Sequence, residues 1–143
     1  MELLILIALA TLFYTLFDIF ASQAGNKIDS NLSAVIFNGL GTIPLVLYIF
    51  YKYSKDSKII PASSEGIFHS TAAGISIAIF SVLLIKIFEK GGLSYIVPLI
   101  YGGTVVLAAL AGIAIFKEQA NTYGVLGIIL VAAGIGLIVF SKI

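Results

Sequence analysis

Asp18 lies inside an apolar run. A carboxylate at the centre of a membrane-spanning helix costs about 2.5–3.5 kcal/mol on insertion scales, and less near an end. Two readings follow. Asp18 is an interfacial carboxylate paired with Lys27 or with water, or it binds a proton or cation in a polar crevice. Thr11, Thr15, Asp18 and Ser22 recur at spacings of 4, 3 and 4, which sets them on one helical stripe with Tyr14 beside it. Asn38 and Thr42 are i,i+4 neighbours, close to Gly39, Gly41 and Pro44. His69 and Ser76 are seven apart and share a face, while Ser70, Gly74 and Ser81 form a second small-residue stripe. Pro98, Tyr101 and Thr104 lie close on one side of a later run, with Gly102 and Gly103 between them. Pro98 reads as a kink or a break in the backbone ladder rather than a ligand. Polar side chains of these types inside a bilayer face a bundle interior or a wet cavity, or they bond to the preceding turn of their own helix.

The elements that must position these residues are apolar to an unusual degree. The chain has 143 residues, 60% of them hydrophobic and 10% charged, with a mean hydropathy of +1.14. Soluble domains run near 45–50% apolar and about 25% charged. The net charge of +1 argues against nucleic acid as a partner. With no cysteine and one histidine, disulfides, zinc sites and iron–sulfur clusters are not expected, and no cofactor or metal is called for. There is no H-E-x-x-H, no G-x-S-x-G and no nucleotide-binding G-x-x-x-x-G-K-[ST], so an enzyme or a direct ATP user is not expected.

Five apolar segments emerge, at about 3–22, 32–51, 66–85, 93–116 and 122–141. Each approaches the ~20 residues that cross a ~30 Å hydrocarbon core. Lipid cannot satisfy backbone polar groups and no sustained alternation appears, so the spans are helices. The expectation is an all-α integral membrane bundle of five transmembrane helices, one domain over 1–143. The first run is longer than a leader's apolar core and is read as a retained span. Tyr48, Tyr51, Tyr53, Tyr95 and Tyr123 stand at segment ends, as interfacial anchors do. The fifth segment, with Ala132 and Gly136 as a small-xxx-small pair, has no polar residue at its middle. It is expected to pack at the edge or at a dimer contact.

Five spans put Lys52, Lys55, Lys58 and Lys117 on one face and Lys27, Lys86, Lys90 and Lys142 on the other, with no arginine anywhere. Orientation follows the lysine and arginine bias of short loops. With none, two opposite insertions are open, and so is an inverted pair around a midplane site. The alternative is one orientation, set by the cluster of Lys52, Lys55 and Lys58. In an inverted pair His69 of one copy approaches the depth of Asp18 in the other.

Phe116-Lys117-Glu118, followed by Gly127 and Gly134, resembles the end of a five-span EamA-like unit of the drug/metabolite transporter superfamily. Phe17-Asp18-Ile19-Phe20 is similar to the opening of its half-size prokaryotic members. Two departures stand out: the first helix has Phe13-Tyr14 near the place of a usual tryptophan, and Gly124 stands where a glutamine is usual. The resemblance implies a small-metabolite transporter working by alternating access. It also implies structural roles for Glu118, Gly127 and Gly134, and a partner half-unit of opposite topology.

The reading is therefore a half-size secondary transporter of small metabolites or amphiphiles, in the cytoplasmic membrane of a prokaryote. It would work as a homodimer or with a paralogous half-unit. Tyr14, Asp18, Asn38, Thr42, Ser76, Tyr101 and Thr104 are the expected lining, Asp18 and His69 the coupling candidates, and Pro98, Glu118, Gly127 and Gly134 the structural positions. A dual-topology ion channel and a non-transporting membrane subunit are the alternatives.

Overall fold

The computed structural model describes residues 2–55 and 63–141. Among them all regular structure is α-helical: α1 (Glu2–Ala24), α2 (Ser30–Lys55), α3 (Ser64–Phe88), α4 (Leu93–Ala114) and α5 (Thr122–Phe140). At 1.5 Å per residue their 19 to 26 residues extend about 28–39 Å, enough to cross a bilayer. All five are long and apolar enough to do so. Lys58 and Lys142, part of the charge pattern drawn above, lie outside the described residues.

The helices overrun the expected spans at several ends. α2 continues through Lys52 and Lys55, and α3 through Lys86. Long lysine stems keep their charge at the interface while the backbone stays helical. Lys55 Nζ sits 4.9 Å from the centre of the Tyr51 ring, which anchors that end of α2. α4 stops earlier than expected, at Ala114. Lys117 has φ 53°, and the Glu118 N–H turns back to the Gly112 carbonyl at 3.0 Å. α4 continues through Pro98, as α2 does through Pro44; each proline lacks the N–H that would bond to the carbonyl four residues back.

Side-chain caps start three of the helices. Asp29 Oδ1 accepts from the Asn31 and Leu32 N–H groups, both at 3.0 Å. Ser63 Oγ accepts from Gly66 N–H at 3.0 Å, and Asn121 Oδ1 from Gly124 N–H at 2.8 Å. The Leu32 N–H above all, with that of Asn31, holds the Asp29 carboxyl below its ordinary range, and Lys86 adds to this. Because the folded value is the lower one, the cap is fully formed above the ordinary carboxylate pKa and fades only as pH falls through the folded value.

The chain divides into two compact units, Met1–Lys90 and Gly91–Ile143. In the first, α3 packs against both α1 and α2. Its buried residues gather at one end: Asp18 and Ala21 of α1, Ser30, Ser33 and Ala34 of α2, and Ser81, Leu84, Ile85 and Phe88 of α3. The described side chains of the other end, 3–16, 39–55 and 63–79, are all exposed. The converging end is held by close backbone approach. A Cβ on Gly25 would lie 3.3 Å from the Ser22 carbonyl oxygen and 3.5 Å from backbone atoms of Phe88 and Glu89. Asn26, at φ 62°, directs its side-chain amide to the Glu89 carbonyl at 3.4 Å. Asparagine is among the few residues that take this backbone conformation readily.

In the second unit α4 packs on α5. Gly102 makes room for Ile135, whose Cδ1 and Cγ1 would lie 2.8 Å from an added Cβ. Glu118 folds over the end of α4, its Oε2 2.7 Å from where a Gly112 Cβ would stand. Gly127, Gly134 and Gly136 have nothing within 4 Å of an added Cβ, and α5 has no buried residue.

Gly25→Val forces a branched side chain into backbone on both sides and should cost about 1–3 kcal/mol. Gly39, where an added Cβ meets nothing within 4 Å, is the control. Thermal midpoints in detergent should fall for Gly25→Val and hold or rise for Gly39→Ala, since alanine favours the helix interior over glycine.

Candidate functional site

The polar residues of α1–α3 separate into two groups by what they bond. Thr11 Oγ1 donates to the Ile7 carbonyl, Thr15 to Thr11, Thr42 to Asn38, Thr71 to Ile67 and Ser76 to Ala72, each at 2.8 Å and each four residues back. Thr104 on α4 does the same to Ile100 at 2.9 Å. These hydroxyls lie on exposed positions and satisfy themselves within their own helices. This is the inexpensive solution in hydrocarbon.

Asn38 behaves differently. Its side-chain amide donates to the Ala34 carbonyl at 2.8 Å and to Ser81 Oγ at 3.0 Å. Ser81, 1% exposed, passes its own hydrogen to the Ile77 carbonyl at 2.6 Å. The Asn38–Ser81 bond joins α2 to α3 at the converging end of the unit. A primary amide has two donors, so one serves its own helix and one the neighbour.

Asp18 lies at the same level. It is six residues from the end of α1, Asn38 is eight from the start of α2, and Ser81 is seven from the end of α3. At 1.5 Å per residue these are depths of about 9, 12 and 10 Å from one face. Asp18 is 2% exposed, the least exposed charged residue type among the described side chains. It shares a helical face with Gly25, two turns on, which meets Phe88 and Glu89 of α3. An aromatic string borders this level. Tyr14 and Phe17 ring centres are 5.9 Å apart, and Phe17 meets Phe37 edge-on at 5.2 Å.

Of the residues expected to line a site, Asp18 and Asn38 therefore share one depth of the first unit. Tyr14 is 43% exposed beside them. Thr42 and Ser76 lie on exposed positions in the splayed half, and Tyr101 and Thr104 belong to the second unit. His69 is near the start of α3, with Nε2 3.9 Å from Glu65 Oε1, and both side chains are largely exposed. Ser81 had appeared only as part of a small-residue stripe. Its signal was available, because an asparagine amide inside a span needs an acceptor on another helix and Ser81 sits at the matching depth of the antiparallel neighbour. The described residues contain no group of three or more His, Cys, Asp or Glu able to hold a metal.

Five apolar helices with a buried carboxylate and an interhelical amide–hydroxyl bond define an integral, multi-pass membrane protein with a polar level inside one helical unit. The model of the EamA-like transporter family matches residues 1–140, and the chain belongs to that family. No curated protein and no solved structure matches the chain.

Bonds of this kind between transmembrane helices average about 0.6 kcal/mol and reach about 1.7. A double-mutant cycle over Asn38→Ala and Ser81→Ala, read by equilibrium unfolding in mixed micelles, should return a favourable coupling in that range. The same cycle over Asn38→Ala and Ser76→Ala should return none.

Proposed function

We propose that the protein is a secondary transporter of small metabolites or amphiphiles, with Asp18 as the group that binds the coupling proton or cation. The observation that carries this reading is the burial of Asp18 at the depth of the Asn38–Ser81 bond. An ionisable side chain at such a depth is costly, and those that persist in spans cluster on substrate and ion pathways. Membership of a transporter family supports the same assignment. The Asn38–Ser81 bond holds α2 to α3 at the depth of Asp18, and Tyr14 supplies an aromatic face suited to a cationic or amphiphilic substrate.

The working form is a dimer, either two inverted copies or this chain with a paralogous half-unit, in the cytoplasmic membrane of a prokaryote. Balanced lysines favour neither insertion. On α5, Gly127 and Gly134 are two turns apart on one face, with nothing within 4 Å of an added Cβ at either, and offer an open small-residue surface for close helix contact. In an inverted pair the splayed half of one copy, with Thr42, Ser76 and His69, lies level with the converging half of the other. Alternating access then exchanges which half is closed.

Reconstituted protein should be tested against a panel of tetraphenylphosphonium, choline, amino acids and hexoses. At least one should show saturable counterflow whose rate depends on pH. Asp18→Asn should lower that rate tenfold or more and flatten its pH dependence. Equal pH-dependent flux in both proteins removes Asp18 from the mechanism, and absence of saturable flux across such a panel speaks against transport.

A further inference from the structure

A cleft of about 250 Å³ opens between the C-terminal half of α1 and the N-terminal half of α2. Phe17, Phe20, Ala21 and Ala24 form one wall, Ser33, Ile36 and Phe37 the other, and Ile28 of the connecting turn closes the end. α1 and α2 both pack on α3, which leaves this gap between them. Phe20 and Ile36 stand exposed at its rim, 71% and 41%, so the cleft opens sideways.

The occupant follows by elimination. Ser33 is the lone polar residue of the lining and is itself 6% exposed, so the lining offers a water too few polar partners to hold it. A helix is 10–12 Å across with its side chains, too thick for a space of this volume. The surroundings of a membrane-spanning helix are hydrocarbon, and a thin, flexible, apolar group from that medium fits. Along α1 the cleft extends from Phe17 to Ala24, about 10 Å, running from the polar level to the turn. A tail lying in it brings its headgroup to the turn, where Lys27 is exposed beside Ile28. Lys86 on the last turn of α3 acts electrostatically on Asp29 of the same turn.

We propose that the α1–α2 cleft is a binding site for one acyl chain of an anionic phospholipid, its phosphate held at the turn by Lys27. The inner end of the chain rests on the Phe17–Phe37 pair, directly before Asp18 and Asn38 in the sequence. The site goes beyond the transport reading and stands without it.

The chain has no tryptophan, so Phe20→Trp gives a single reporter at the rim. Leu130→Trp, at a 72% exposed position on α5, is the control. Both are reconstituted in phosphatidylcholine vesicles with increasing fractions of dibrominated phosphatidylglycerol or dibrominated phosphatidylcholine. One lysine near the membrane surface is worth about 1 kcal/mol, or about fivefold in binding. Dibrominated phosphatidylglycerol should therefore quench Phe20→Trp saturably and about fivefold more effectively than dibrominated phosphatidylcholine. Leu130→Trp should show no preference. Lys27→Gln, a surface change that leaves the fold intact, should erase the preference. Ala24→Leu, which fills the cleft, should erase saturation. Quenching of Phe20→Trp that is equal for both lipids and proportional to their fraction makes the cleft ordinary lipid contact and overturns the proposal. So does a Phe20→Trp that bromine does not reach while Leu130→Trp is quenched, because another protein segment then fills the cleft.

Discussion

In hydrocarbon a polar group has only the chain itself to bond, and this constraint organises the structure. Short hydroxyl side chains meet it at home: Thr11, Thr15, Thr42, Thr71, Ser76 and Thr104 all reach the carbonyl four residues back. The larger amide of Asn38 keeps a second donor after bonding Ala34, and that donor draws Ser81 and hence α3 against α2. Where such a bond crosses between helices, they converge. Where every hydroxyl serves its own helix, described side chains are exposed.

Packing repeats the division. The end of the first unit that holds Asp18 and Ser81 also holds its buried apolar residues, Ala21, Ala34, Leu84, Ile85 and Phe88. The Gly25 backbone meets α3 there with no room for a branched side chain. A carboxylate inside a tight junction is costly, and such groups mark ion and substrate pathways in spans; proton or cation coupling is the role proposed for Asp18. Phe17 and Phe37 meet edge-on and both line the apolar cleft between α1 and α2, and each directly precedes a residue of the polar level, Asp18 and Asn38, in the chain.

Much of this was legible in the sequence. Five runs of hydropathy and the need to satisfy backbone groups dictate five helices. The stripe of Thr11, Thr15, Asp18 and Ser22 was visible as a spacing, but spacing cannot tell that Asp18 is buried while Thr11 and Thr15 are exposed. That depends on where α3 crosses α1, a tertiary choice made by Gly25 and the end of α3. Ser81 was overlooked for a related reason. A serine inside a span usually bonds to its own helix, and only the matching depth of Asn38 on the antiparallel neighbour marks it as a bridge. Helix ends were misplaced by lysines, whose long stems let α2 and α3 continue past the apolar run.

The central claim is that Asp18 is the protonatable group of a polar level inside the membrane. Infrared difference spectroscopy of the protein in liposomes, stepped in pH, observes carboxyl groups directly. The account predicts a carboxylic C=O band that appears and disappears with pH and is missing from Asp18→Asn. Identical difference spectra from the two proteins would contradict it.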